Sequence, residues 1–345
     1  MKHIKNLLRE NIKSLVKYSS ARDEFSDKAV VFLDANENPF NNGLNRYPDP
    51  LQRELKKHIG FIKGIPTKNI LLGNGSDEVL DIIIRAFCEP GKDNIILTPP
   101  TYGMYKVLAD INNVEVRNAF LNKDFNLNVE RIEKLKDENT KLIILCSPNN
   151  PTGNSLNKND IEYLLKNLNC MVVIDEAYID FSDEESRIKV LGDYPNLIVS
   201  QTLSKAWGLA AIRLGICFAS EYLISVFNKI KAPYNVNLLS QQKAIEMISD
   251  VEIFKNNLIK IKKEKAKLKE KLISLPFVEK VFPSDANFLL IKVTNAKKIY
   301  EYLINNGIVI RNRSKMHGCD NCLRISVGIL EENEKLISTM KKYNL

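Results

Sequence analysis

The chain has 345 residues, 44% of them hydrophobic, and a formal net charge of +8. That length accommodates a large domain with a smaller one, or two of similar size, each with its own core. No apolar run approaches the roughly 20 residues of a membrane span. The N-terminal MKHIKNLLREN scatters charges where a signal peptide needs an uninterrupted apolar stretch, so the expected location is the cytoplasm.

The positive balance asks for an anionic partner. Lysines concentrate between Lys255 and Lys271, but Phe254, Leu258, Ile261, Leu268, Leu272 and Leu275 recur there at helical spacing. The segment therefore reads as an amphipathic helix with a solvated basic face. Aromatic residues do not interleave with the lysines, which argues against nucleic acid; small phosphorylated molecules suit the charge. Six cysteines are thinly spread, and Cys319 and Cys322 form the only C-x-x-C. One such pair, with His317 the only histidine near it, does not make a zinc site, and no metal is expected.

Residues 1 to about 30 read as a helix and then an irregular arm that includes Tyr18. LDANENPF (33–40) and RYPDP (46–50) are rich in Asn, Asp and Pro and read as loops, with a helix starting near Leu51. In LLGNGSDEVLDIIIRAFCEPG, Ser76 is the expected N-cap, with Asp77 and Glu78 in the first turn. Val79, Leu80, Ile83, Ile84 and Phe87 form the buried face of that helix. Glycines before a helix N-terminus let backbone N–H groups approach a phosphate. Gly73-x-Gly75-x-x-Glu78 lacks the third glycine of a dinucleotide fingerprint, and no Gly-Lys-Ser/Thr of a P-loop follows.

From Ile95 onward, apolar runs alternate with helical patterns. Strands are expected at 95–97, 114–116, 142–145, 171–174, 197–199 and 214–218, with a helix over 160–168. Such alternation predicts an α/β domain with a mainly parallel sheet, whose ligands bind beyond the carboxyl ends of its strands. The chemistry-bearing residues fall there. SPNNPTG with Asn150 follows the strand at 142, Asp175 and Tyr178 follow the strand at 171, and Ser204-Lys205 follow the strand at 197. A lysine next to a buried strand has its amine favoured by desolvation, which a Schiff-base nucleophile requires. After PYNVN (233–237) the texture changes. A long helix runs to Pro276, then come ANFLLIKV, a helix over 296–305, and GIVIRNRSKMHGCDNCLRISVG, read as two strands joined by a polar loop. Arg311, Arg313 and Arg324 concentrate positive charge there.

These motifs, in this order, resemble the histidinol-phosphate aminotransferases over nearly the whole chain. SKAWGLAAIRLG, NPTG and the aspartate of VVIDEAYIDF resemble fold-type I aminotransferases at large, whereas LDANENP, RYPDP and IDEAYIDF resemble this family in particular. Trp207 stands where the family usually has phenylalanine, and Ala211-Ile212 replaces a commoner Gly-Leu. The resemblance implies a pyridoxal-phosphate-dependent transferase of fold type I. It would comprise a large domain (36–232) with a helix-flanked, mainly parallel sheet and a smaller α+β domain (233–345). An N-terminal arm (1–35) would pack with the small domain or a partner subunit. It implies that Lys205 holds pyridoxal 5′-phosphate as an aldimine and moves protons. Asp175 would face the ring nitrogen, Asn150 and Tyr178 the phenolate oxygen, and Tyr102 the ring face. Ser76, Asp77, Ser204 and Arg213 would hold the phosphate. It further implies a homodimer in which Tyr47 reaches the partner's cofactor phosphate, with substrate contacts from Tyr18, Arg311 and Arg324. The expected reaction exchanges an amino group between L-histidinol phosphate and 2-oxoglutarate in histidine biosynthesis. Relatives acting on aromatic amino acids, threonine-phosphate decarboxylases and regulator effector domains share the scaffold. The intact lysine and the lack of a helix-turn-helix ahead of the arm speak against the last.

Overall fold

A computed structural model describes residues 2–18 and 31–343 of the chain. Two sheets organise it. Strands β1 (Ile70–Asn74), β2 (Asn94–Leu97), β3 (Glu115–Asn118), β4 (Thr140–Cys146), β5 (Met171–Asp175), β6 (Leu197–Thr202) and β7 (Leu214–Phe218) form one sheet in the order β1-β7-β6-β5-β4-β2-β3. β3, β2, β4, β5 and β6 pair in parallel, and β7 runs antiparallel to both of its neighbours. Along each central strand successive side chains enter opposite cores. Ile143, Leu145, Val172 and Ile174 pack on one face, and Leu142, Ile144, Met171 and Val173 on the other. A sheet buried on both sides needs such continuous apolar runs.

The expected alternation is present, with two differences. β1 lies beyond the strands anticipated from sequence; Ile70 to Asn74 pair with Phe218 to Leu214, about 140 positions later. β3 sits one or two residues beyond the expected 114–116, because it is an edge strand with only β2 to hold its register.

Strands β8 (Val278–Val281), β9 (Phe288–Val293), β10 (Arg311–Asn312) and β11 (Cys322–Ser326) form an antiparallel sheet in the order β10-β11-β9-β8. The helices Val251–Ile273, Ala296–Asn305 and Leu330–Lys341 enclose its core through residues such as Leu268, Leu272, Ile299, Leu303, Leu336 and Ile337. The lysine-rich helix Val251–Ile273 is amphipathic as expected. Its Phe254, Leu258 and Ile261 turn toward Tyr178 and Phe288 at the seam between the sheets, and the Phe254 and Trp207 rings stack at 3.8 Å.

Packing adds two features to this organisation. The short helices Lys2–Leu7 and Glu10–Lys13 lie on the large unit, not on the small one. Ile4, Leu7, Leu8 and Ile12 enter the apolar cluster of Val79, Ile83 and Phe227, and Arg9 pairs with Glu89 at 3.0 Å. Residues 19–30 of the arm lie outside the described residues. The packing of the large unit also continues past residue 232. Val236, Ala244 and Ile248 join its core, and the Ser240 hydroxyl of helix Leu238–Ile248 donates to the Ile212 carbonyl at 2.8 Å. Among the described residues no helix is long and apolar enough to cross a membrane.

Candidate active site

The topology gathers the site at one edge of the large sheet. β4, β5 and β6 are parallel, so Cys146, Asp175 and Thr202 finish there. β7 runs the opposite way and starts there, which brings in Arg213. β1 runs with the parallel set and ends there, so helix Gly75–Phe87 begins at the same edge. A cavity of about 330 Å³ opens at this edge, lined by Ser76, Asp77, Tyr102, Cys146, Asn150, Asp175, Ala177, Tyr178, Thr202, Ser204, Lys205, Arg213, Arg311, Arg313 and Arg324.

Asp175 forms the floor. Its carboxylate is buried and accepts from the Tyr105 hydroxyl at 2.6 Å and from the Ala177 N–H at 3.1 Å. Burial raises its pKa to about 6 against the pull of those two bonds. Tyr105 is fully buried and was not singled out from sequence; PPTYGMY offers Tyr102 and Tyr105, and only Tyr102 lines the cavity. The two rings meet edge to face at 5.5 Å, and the Tyr102 hydroxyl donates to Asp77 at 3.4 Å.

Lys205 lies just past β6 and is accessible from the cavity, with Nζ 5.8 Å from the centroid of the Tyr178 ring. Its pKa is lowered, first by the surrounding protein and then by Arg324, against the opposing pull of Asp175; Arg213 lowers it further. The amine is thus biased toward its neutral, nucleophilic form. Asn150 donates to the Tyr178 hydroxyl at 3.4 Å and accepts from Arg324, tying the NPTG segment to the small sheet.

The third wall is the start of helix Gly75–Phe87. The sequence predicts Ser76 as its N-cap. Here the N-cap is Asn74 and makes no side-chain capping bond, because β1 runs straight into the helix through Gly75 at φ +80°. Ser76 and Asp77 stand in the first turn, where helix N–H groups lack intrahelical acceptors and attract anions. Arg213 lies against this turn. A Cβ on Gly75 would sit 2.7 Å from the Arg213 Nη2. A Cβ on Gly215 would sit 2.3 Å from the Gly75 carbonyl carbon and 2.4 Å from the Ser76 nitrogen. Glycine at both positions is what lets strand, helix and arginine meet.

Arg311, Arg313 and Arg324 form the roof, with Arg311 opposite Arg324 in the β10–β11 register. Among the described residues no carboxylate makes an ion pair with any of the three. The Nε atoms of Arg313 and Arg324 are buried without a hydrogen-bond partner. Burial and the other two cations lower Arg313 to about 10. Three converging, unneutralised guanidinium groups make a site for a strong anion.

Of the residues anticipated from sequence, Tyr18 and Tyr47 are the two that do not line this cavity. Tyr18 is 67% exposed. Tyr47 stacks on Tyr234 at 4.4 Å and lines a different, open depression with Leu44 and Leu239.

A lysine amine, a buried acid and an anion-binding helix start on a mainly parallel sheet make up the equipment of amine–carbonyl chemistry. The chain belongs to the class I and II aminotransferase family, which it matches over residues 24–340. It is 56% identical over 344 residues to the histidinol-phosphate aminotransferase of Flavobacterium johnsoniae, covering 99% of each chain. The crystal structure of the histidinol-phosphate aminotransferase from Clostridium acetobutylicum superposes with a TM-score of 0.80 at 27% identity, over 86% of this chain and 90% of that one. That from Sinorhizobium meliloti, in complex with pyridoxal-5′-phosphate, shares the fold with a TM-score of 0.79 at 24% identity, over 86% and 82%.

Proposed function

We propose that this chain is a pyridoxal-phosphate-dependent transaminase that moves the amino group between L-histidinol phosphate and 2-oxoglutarate, in histidine biosynthesis. The observation that carries the substrate assignment is the roof of Arg311, Arg313 and Arg324, set over Lys205 and Asp175 in one cavity, with no carboxylate ion-paired to it among the described residues and the Arg313 and Arg324 Nε atoms buried without a partner. Histidinol phosphate presents a phosphate to that roof, and glutamate presents a carboxylate; arginine's planar fork accepts either.

The residues fit pyridoxal phosphate on two counts. Asp175 is a buried carboxylate whose ionisation burial opposes, so a protonated pyridine nitrogen is the partner it needs. The uncapped helix start beside Arg213 is the cradle its phosphate needs. Asp175 would hold the ring nitrogen, Asn150 and Tyr178 the phenolate oxygen and Tyr102 the ring face. Ser76, Asp77, Ser204 and Arg213 would hold the phosphate. When bound, the cofactor supplies an aldehyde and an electron-withdrawing ring. Lys205 Nζ takes and returns the proton at the substrate carbon that bears nitrogen. Arg311 and Arg324 orient the anionic end of each substrate.

The working unit would be a homodimer. Leu33 is 90% exposed, Phe40 80% and Leu44 59%, all close in sequence to Tyr47. An apolar surface of this kind suits a second subunit, and Tyr47, outside its own chain's cavity, is then available to the partner's cofactor phosphate. Tyr18 is assigned a substrate contact on the family resemblance alone. Residues 36–232 and 233–345 would act as large and small domains, with helix Leu238–Ile248 bridging them. Six free, buried cysteines suit a reducing cytoplasm.

The test is the purified holoenzyme with histidinol phosphate and 2-oxoglutarate, assayed for glutamate. Carbon dioxide released from threonine phosphate, or faster turnover of aromatic amino acids, would overturn the assignment.

A further inference from the structure

The loop between β10 and β11 holds two cysteines that amino-group transfer leaves unused. The Cys322 N–H donates to the Cys319 carbonyl at 2.9 Å, closing a tight turn over Asp320 and Asn321, with Asn321 at φ +53°. Such a turn brings its end Cα atoms within about 7 Å, a span that overlaps the roughly 4.4–6.8 Å of disulfides. The Cys322 thiol donates to the Asp320 carbonyl at 3.6 Å, and the closeness of the two sulfurs pushes Cys319 up and draws Cys322 down. Lys292 stands opposite Cys322 in the β9–β11 register and favours its thiolate, against the opposing pull of burial, Asp320 and Glu279, the last of which pairs with Lys292 at 3.7 Å. The turn thus sets the more acidic sulfur, Cys322, beside a less acidic neighbour. Burial pushes Cys88, Cys146, Cys170 and Cys217 the other way, toward the inert thiol. Although both loop thiols are buried, Gly318, Asp320 and Asn321 beside them are exposed. A metal would need further ligands, and among the described residues no cluster of three His, Cys, Asp or Glu exists.

The loop also touches the site. The Arg313 N–H donates to the Cys322 carbonyl at 2.8 Å, and Arg324 lies two residues beyond Cys322 on the same strand. On its other side the loop rests on the large unit, with His317 against Phe120 at 4.2 Å between ring centroids.

We propose that Cys319 and Cys322 are a peroxide-sensitive dithiol whose closure to a disulfide repositions the Arg313–Arg324 roof and weakens anionic substrate binding. The Cys322 thiolate attacks one oxygen of hydrogen peroxide. The O–O bond breaks, the departing hydroxide takes a proton to become water, and Cys322 becomes a sulfenic acid. The Cys319 sulfur then displaces that hydroxyl, which leaves as a second water with the Cys319 proton. Two electrons pass from the sulfurs to the peroxide. A small dithiol reductant reverses the bond by exchange.

The experiment treats the intact holoenzyme with hydrogen peroxide and reads the tryptic peptide 316–324, which contains both cysteines and no internal cleavage site. The expected result is a loss of two hydrogen atoms, restored by dithiothreitol. KM for histidinol phosphate should rise severalfold in step with that loss, and kcat should change less. Cys319→Ser should keep the reduced enzyme's KM, ignore peroxide and stop at a Cys322 sulfenic acid that dimedone traps; Cys319→Ala serves if the serine variant folds poorly. A peptide that stays dithiol, or only gains oxygen, overturns the proposal. A disulfide that forms while KM stays constant overturns its effect on the arginines. The peptide mass is read without substrate, so it stands whichever amino donor the enzyme uses.

Discussion

The Tyr105 hydroxyl and Asp175 Oδ2 are 2.6 Å apart in a fully buried setting, and this bond is the main side-chain support of the floor of the cavity. Asp175 has its pKa raised to about 6, so the folded chain holds that proton more tightly than the unfolded chain does. Stability from this group is therefore greatest below about pH 4 and is lost as the pH rises through about 6. In cofactor-free protein near neutral pH, Asp175→Asn should stabilise the fold by about 2 kcal/mol. Roughly 3 comes from the relieved shift, less about 1 for a weaker hydrogen bond. The gain should vanish below about pH 4. Urea unfolding of both proteins across that range measures it, and a destabilised variant at neutral pH would show that Asp175 is not strained.

Borohydride treatment of the holoenzyme should fix the cofactor covalently on Lys205, identified by peptide mapping. Lys205→Ala should retain cofactor through Asp175 and Arg213 yet lose turnover by about a thousandfold or more, the range for removing a positioned acid–base group. An adduct on another lysine would reassign the site.

Both Asp175 and Lys205 were legible in the sequence because each follows its own apolar strand and sits in a short local motif. Tyr105 was not, because PPTYGMY offers two tyrosines three residues apart. Which of them turns inward depends on where helix Met104–Ile111 begins against its neighbours. β1 was missed for a related reason. ILLGN has little pattern of its own, and its partner β7 lies far along the chain. Ile4, Leu7, Leu8 and Ile12 mark one apolar helical stripe in sequence, but nothing local says which unit receives it.

The arginine roof should govern both substrates. A hydrogen bond to a charged group contributes about 1.5–3 kcal/mol, so Arg324→Ala should weaken use of histidinol phosphate and of glutamate by about tenfold to a hundredfold or more. Arg324→Lys should recover only part of that, since a point charge lacks the fork. The cofactor should still be retained, since Asp175 and Arg213 are untouched. Single-turnover kinetics with histidinol phosphate against unphosphorylated histidinol measures the effect. If Arg311→Ala and Arg324→Ala both leave the preference for the phosphate intact, it is recognised elsewhere.

If Tyr47 serves the partner's site, mixing Lys205→Ala with Tyr47→Phe should restore activity after subunit exchange, because one site in each mixed dimer then carries neither change. Independent detection of exchange without recovered activity would place Tyr47 in its own chain's service.

Gly215→Ala tests the close approach of β7 to the first turn of helix Gly75–Phe87. The new methyl would meet backbone at 2.3–2.4 Å, and backbone cannot rotate away as a side chain can. The expected cost is about 3 kcal/mol, at the upper end for overpacking, with weakened cofactor retention. Thermal unfolding and cofactor titration read the two effects separately, and an unchanged melting temperature would refute the steric account.

The division of labour between the two sheets has a consequence for how this enzyme can be altered. Lys205, Asp175 and the helix start belong to the seven-stranded sheet, whereas Arg311, Arg313 and Arg324 ride on one hairpin of the four-stranded sheet. On the proposed assignment, reaction chemistry and substrate choice are carried by separate sheets, which meet at Asn150 and also where Trp207 packs on Phe254 and Phe120 on His317. Exchanging residues 311–324 alone is the economical route, for a protein engineer or for evolution, to a catalyst that accepts a different anion with the same reaction centre.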